Sequence, residues 1–412
     1  MYDVAIIGAG AAGIGCAKAA LSAGLHAVVI EKEEKAFGGT CLNTGCIPTK
    51  FFINSAKLHK SWQETFQENK KIIEKIKLPL LSHLRKQGLD VIWGKTKLLD
   101  SETIEVGGKR IEAKNIIIAS GSCAKIFFDH PKVISAEGVF NIADIGENIL
   151  IIGGGYIGLE MASLLSGLGK KVYVIEKEKT ILPSFDQQLV NRLKVILGKQ
   201  GIKIETGKNA SDVNFDDFDI VISATGRSPS TDGLNLEGLG VAFDEAGWIK
   251  TDSFMKTNVR GIYACGDVTG KKLLAYAGEY QARICIDNIK GGSLSEDYLG
   301  LAECVFSIPA LAKVGMSQSQ AKQAGIKYKV LKSNFLKYSS AYVYDDLDGF
   351  IQVLVDQEQK IIGAGIISKS AGELISLFSL CIKNNLKLND LKNNIFIHPT
   401  LSEIIPLMLD SD

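Results

Sequence analysis

Cys41 and Cys46 stand in the stretch GGTCLNTGCIPTK, Gly38 to Lys50, with four residues between them. A Gly-rich turn can take positive φ and bring two sulfurs together, so this pair can close a small disulfide. Thiol exchange is governed by thiolate fraction and access. A pair beside a helix start, where backbone N–H groups favour negative charge, is therefore poised to react. Lys50 adds a cation one turn beyond Cys46. Near the other end of the chain His398, one of only five histidines, is followed by Glu403. A carboxylate within that reach can hold one imidazole tautomer and favour the imidazolium, and imidazole titrates where a base is needed to form an attacking thiolate. The chemistry on offer is thiol–disulfide exchange with acid–base assistance.

The elements around these residues read as nucleotide binders. Val4 to Ile7 is an apolar run entering GAGAAG, in which Gly8, Gly10 and Gly13 have G-x-G-x-x-G spacing. An Ala-rich helix follows to Ala23, Gly24 ends it, and a strand from Ala27 to Ile30 delivers Glu31. This is a βαβ unit with an acid placed to accept from a ribose hydroxyl. The unit returns 145 residues later: Gly153, Gly155 and Gly158 match the three glycines, Gly169 matches Gly24, and Glu176 matches Glu31. Two copies this far apart indicate two separate dinucleotide domains. An acid such as Glu176 accepts from free ribose hydroxyls and repels a 2′-phosphate, which favours NAD over NADP.

Between the copies, apolar spacing predicts a helical stretch from Ile47 to Leu84 that Pro79 should break or bend. Strands are expected at Asp90 to Trp93, Thr103 to Val106 and Asn115 to Ala119, the last running into Ser120 and Gly121. After the second unit, Ile220 to Ala224 enters ATGRSP, with Gly226 in a tight turn, and Gly261 to Val268 reads GIYACGDV, a strand delivering Asp267. From Glu303 onward strand-like runs cover 327–336, 349–356 and 360–368, with helices at 317–324 and 371–384.

Composition narrows the partners. With 47 basic and 46 acidic residues in 412, no charge-driven partner such as nucleic acid or an anionic membrane is indicated. The eight cysteines are too sparse for a disulfide-stapled secreted domain, no C-x2-C pair suggests zinc, and no metal site is expected. The start Met1-Tyr2-Asp3 lacks the charge of a secretory signal, and no apolar run approaches the roughly 20 residues that span a bilayer. A soluble, cytoplasmic protein is expected.

The string GGTCLNTGCIPTK, the two fingerprints, ATGRSP, GIYACGDV and the terminal His398-Pro399-Thr400-Leu401-Ser402-Glu403 together resemble the pyridine nucleotide-disulfide oxidoreductases. Within that family the wording is most similar to dihydrolipoamide dehydrogenases. The resemblance implies an α/β fold with two Rossmann-like domains and an α+β dimerisation domain. The expected boundaries are residues 1–146 with 262–298 for FAD, 147–261 for NAD and 299–412 for dimerisation. It implies FAD held by Gly8, Gly10, Gly13, Glu31, Gly39, Thr40, Lys50, Ser120, Gly121 and Asp267, and NAD held by Gly153, Gly155, Gly158, Glu176 and Gly226. Cys46 would lie against the flavin, Cys41 would exchange with substrate, Lys50 would pair with Glu160, and His398 with Glu403 would be the acid–base pair, supplied by the other chain of a homodimer. The implied activity is NAD-dependent oxidation of dihydrolipoamide, on a lipoyl-bearing protein or a small dithiol. Alternatives are another NAD(P)H-dependent disulfide reductase of glutathione type, and a non-catalytic flavin-binding protein. Two departures stand out: Ala310 follows Pro309 where relatives usually carry glutamate, and a single His stands where many have His-x-His.

Overall fold

The computed structural model describes residues 1–409. Its first sheet is built on Val4–Ile7, flanked in parallel by Ala27–Glu31 and Ile116–Ile118, with Asp90–Trp93 and Ile262–Ala264 at the edges. These strands are nearly all apolar because both faces are covered. Ile6, Val29 and Ile117 point into one core and Ile7, Ile30 and Ile118 into the other. The second sheet repeats the plan, with Asn148–Ile152 between Lys171–Glu176 and Ile220–Ser223.

Two segments pair or pack across the two units. Val133–Ser135 pairs with Ile220–Ser223 and so joins the second sheet ahead of residue 147. Leu234, Leu236, Val241 and Ile249 pack against Ile7 and Ile30 of the first sheet, well before Ile262. A two-stranded ribbon of Ser122–Ala124 and Arg227–Pro229 lies where the chain passes between the units.

The helical stretch after Cys46 is two helices, Cys46–Lys57 and Trp62–Lys86. The break falls before Ser61, whose side chain accepts from the Glu64 N–H while Glu64 accepts from the Ser61 N–H, a reciprocal cap that starts a new helix. Pro79 does not end the second helix. It removes one N–H, but Leu80, Leu81 and Leu84 beside it are held in the first core, and that packing keeps the helix in register. The C-terminal region is a five-stranded antiparallel sheet covered by helix Ala371–Lys383. Its strands Glu303–Val305 and Ala310–Gly315 lie in a region read from sequence only as a change of composition. Among the described residues no helix is long and apolar enough to cross a membrane.

Helix Cys46–Lys57 leaves the first unit and packs on helix Tyr156–Gly167 of the second, with Phe52, Ile53 and Ala56 in one core with Leu159 and Ala162. Close approach explains Gly167: a Cβ there would sit 2.8 Å from the Ala56 Cβ. This seam positions the candidate site.

Candidate active site

Cys41 lies in the short helix Gly39–Asn43, and Cys46 is the first residue of Cys46–Lys57, after Thr44 and Gly45. Gly45 has no room for a side chain, since a Cβ would meet the Thr40 carbonyl oxygen at 2.8 Å. Both cysteines are free thiols and both are half-buried. Their acidities diverge. The hydrogen bond from Cys41 and then the Lys50 ammonium lower the Cys46 thiol to about 7, against the opposing effects of burial and of Glu160. Cys41 is pushed up, first by that same hydrogen bond and then by burial. Cys46 is thus the thiolate of the pair, at a helix start, as expected for a stabilised sulfur anion.

Lys50 lies one turn along the same helix, and its Nζ is 2.7 Å from Glu160 Oε2. The Glu160 side chain is only 11% exposed, and its other oxygen accepts from the Phe306 N–H at 3.0 Å. Lys50 also sits 4.4 Å from the centre of the Phe306 ring. First unit, second unit and C-terminal region therefore meet at one carboxylate. Phe306 had no motif to mark it; only the third partner of the ion pair reveals it. Nearby, the Tyr156 hydroxyl donates to Glu303 Oε2, and burial pushes the Cys304 thiol up to about 12.

The two fingerprints form matching cradles. Gly8 has φ +103° and Gly153 φ +113°; a Cβ on either would strike a backbone carbonyl oxygen, that of Ala119 at 2.5 Å or of Ala224 at 2.4 Å. Gly13 and Gly158 each pass so near the preceding turn that a Cβ would lie 1.9 Å from a carbonyl oxygen, of Gly8 and Gly153 respectively. Gly10 and Gly155 are the N-caps of the two long helices. Glu31 Oε2 accepts from the Ala9 N–H at 2.8 Å, and Glu176 Oε2 accepts from the Gly154 N–H at 2.7 Å. The first cradle also gathers Gly39, whose Cβ would lie 2.6 Å from Gly10 Cα, beside Thr40. Gly121 (φ +74°) and Gly226 (φ +116°) turn in open space. The Ser120 hydroxyl oxygen is buried with no hydrogen-bond partner among the described residues. Asp267 Oδ2 accepts from the Ser122 hydroxyl at 2.6 Å. Half-buried helix N-termini, glycines that let a ligand approach the backbone, and an unpartnered buried hydroxyl fit a dinucleotide diphosphate.

His398 Nδ1 lies 2.7 Å from Glu403 Oε2, the carboxylate largely buried and the imidazole side chain 72% exposed. Among the described residues no hydrogen bond or ion pair joins His398 to Cys41 or Cys46. Around it Ile395 is 95% and Ile397 77% exposed. The structure thus brings Cys41, Cys46, Lys50 and Glu160 together and leaves His398 with Glu403 as a separate pair on an apolar surface.

Residues 2–282 match the pyridine nucleotide-disulphide oxidoreductase family, and residues 301–409 match that family's dimerisation domain. Dihydrolipoyl dehydrogenase of Chlamydia muridarum is 33% identical over 98% of this chain and 95% of its own length. Dihydrolipoyl dehydrogenase 1, mitochondrial, of Arabidopsis thaliana is 32% identical over 98% of this chain and 89% of its own. Among solved structures, the HOCl-induced flavoprotein disulfide reductase RclA from Escherichia coli superposes with TM-score 0.93 at 28% identity, covering 98% of both chains. The cradles, the thiol pair and these likenesses agree on a flavin, FAD, and a pyridine nucleotide as cofactors and on a homodimer as the assembly. The chain belongs to the pyridine nucleotide-disulphide oxidoreductase family.

Proposed function

We propose that this protein is an NAD-dependent dihydrolipoyl dehydrogenase that oxidises dihydrolipoamide to lipoamide through a Cys41–Cys46 disulfide. The observation that carries the reading is the thiol pair Cys41 and Cys46, Cys46 at a helix start, beside the Lys50–Glu160 ion pair. A substrate thiolate attacks the Cys41 sulfur and displaces Cys46, which its lowered pKa makes the better leaving group. The second substrate thiol then attacks the substrate sulfur bound to Cys41. The cyclic disulfide of lipoamide departs and the Cys41 thiol is restored. Two protons leave the substrate thiols, and we assign their removal to His398, held by Glu403. Lys50 favours the anionic Cys46 left behind.

FAD held by Gly8, Gly10, Gly13, Glu31, Gly39, Thr40, Lys50, Ser120, Gly121 and Asp267 would carry the two electrons to NAD held by Gly153, Gly155, Gly158, Glu176 and Gly226. NAD rather than NADP is read from Glu176, whose carboxylate is fixed by the Gly154 and Glu178 N–H groups and would repel a 2′-phosphate. The exposed imidazole and its exposed isoleucines support a site completed across the dimer, with His398 and Glu403 serving the thiols of the other protomer. The domains are read as 1–146 with 262–298, 147–261 and 299–412, with strand Val133–Ser135 lent to the second sheet and Leu234 to Ile249 packed on the first, and the compartment as a reducing cytoplasm, where such thiols cycle.

A second reading is a disulfide reductase that runs from NAD(P)H toward substrate, supported by the likeness to RclA over nearly the whole chain. Steady-state turnover separates the two. Dihydrolipoamide with NAD should give the largest kcat/KM. Negligible turnover with that pair, alongside rapid NADH- or NADPH-driven reduction of another disulfide, would reject the dehydrogenase reading.

A further inference from the structure

Arg227 lies in the ATGRSP turn, on the strand paired with Ser122–Ala124, and its side chain is only 12% exposed. Its guanidinium uses three directions at once. Nε donates to Ser122 Oγ at 2.6 Å, Nη2 donates to the Ser122 carbonyl oxygen at 2.8 Å, and Nη1 donates to Glu137 Oε1 at 2.6 Å. The Ser122 hydroxyl, accepting from a cation, in turn donates to Asp267 Oδ2 at 2.6 Å. Arg227 Nε is itself 3.7 Å from the same oxygen. We infer that Arg227 is a positioning residue for the flavin site, fixing and neutralising the Asp267 carboxylate through Ser122.

The inference rests on the reading of Asp267 as a residue that holds FAD. Both contacts fall on Oδ2, so Oδ1 is the oxygen left to face a ligand. A hydroxyl that accepts from a cation and donates to an anion is polarised in both directions, and such a chain holds its members more firmly than isolated bonds. Without the guanidinium, two carboxylates, Glu137 and Asp267, would flank this turn uncompensated beside a ligand that carries its own negative charges. Lysine could restore the charge but not the fork, because an ammonium is a point donor that cannot hold the hydroxyl, the carbonyl and the carboxylate together. Gly266, immediately before Asp267, is held independently: its N–H donates to the buried Gln281 at 2.6 Å. Arg227 can therefore act on the carboxylate without dismantling the strand that carries it.

The test is FAD titration of apoprotein followed by flavin fluorescence, with the apoprotein melting temperature measured alongside. Arg227→Met should weaken FAD binding more than tenfold, Ser122→Ala should weaken it in the same direction, and Arg227→Lys should recover part of the loss. In an Asp267→Asn background the effect of Arg227→Met should fall below threefold, since the group it acts through is gone. An unchanged dissociation constant in Arg227→Met would overturn the proposal, as would an equal loss in both backgrounds, which marks a general structural role. If Arg227→Met does not fold, Ser122→Ala and its pair with Asp267→Asn carry the same comparison. If Asp267→Asn alone leaves FAD binding unchanged, the reading of Asp267 fails, and that result is distinct from failure of the relay.

Discussion

Replacing Lys50 by Met should raise the pKa of Cys46, and replacing Glu160 by Gln should lower it, although the two residues form one ion pair. The Lys50 ammonium favours the Cys46 thiolate while the Glu160 carboxylate opposes it, so the two substitutions act on the sulfur with opposite sign. A neighbouring opposite charge is worth about one unit or more. At pH 7 a thiol of pKa about 7 is half ionised; moved up by about one unit, its thiolate fraction falls to roughly a tenth, about a fivefold loss. Alkylation of the reduced protein by iodoacetamide, with peptide mapping to isolate the label on Cys46, measures this across pH. Because the folded value lies below the ordinary 9.0, the reduced protein has the associated stability in full above pH 9 and loses it as pH falls through 7. In Lys50→Met the midpoint of that loss should move upward together with the alkylation profile. Shifts of the same sign in the two variants, or no shift in either, would refute the electrostatic account and leave the Cys41 hydrogen bond as the sole cause.

Complementation tests the shared site: Cys46→Ser and His398→Ala, each inactive alone, should regain activity when unfolded and refolded together, because a mixed dimer then contains one intact site. Persistent inactivity of verified mixed dimers would place base and thiols in one protomer. Glu176→Arg should narrow or reverse the preference for NAD over NADP, read as the ratio of kcat/KM values; equal values in the unaltered protein would remove the argument from the carboxylate. Gly13→Ala should abolish FAD retention, since its Cβ would lie 1.9 Å from the Gly8 carbonyl oxygen and the turn would have to open. Purification of that variant with a full complement of flavin would contradict the cradle assigned to Gly8, Gly10 and Gly13.

Local pattern decided much of this protein. A parallel strand covered on both faces must be apolar along its length, and a tight strand-to-helix turn must be glycine, so Val4–Ile7 with Gly8 and Asn148–Ile152 with Gly153 were legible as paired units. The thiol pair and the His398–Glu403 pair were legible because their members are near neighbours in sequence. The start of helix Trp62–Lys86 was not, because a periodic apolar pattern runs through the break and the cap on Ser61 is polar. Pro79, where a break or bend is expected, leaves the helix unbroken because core packing outweighs one lost hydrogen bond. Long-range partners were beyond any local pattern: Phe306 reaches Glu160 across 146 positions, Ser122 reaches Asp267 across 145, and Val133–Ser135 finds its sheet only when Ile220–Ser223 arrives. Residue type and spacing therefore determined which groups could do chemistry, while the charge state and partners of each were decided by tertiary contacts. Burial and neighbouring charge depend on segments that are adjacent only in the folded chain.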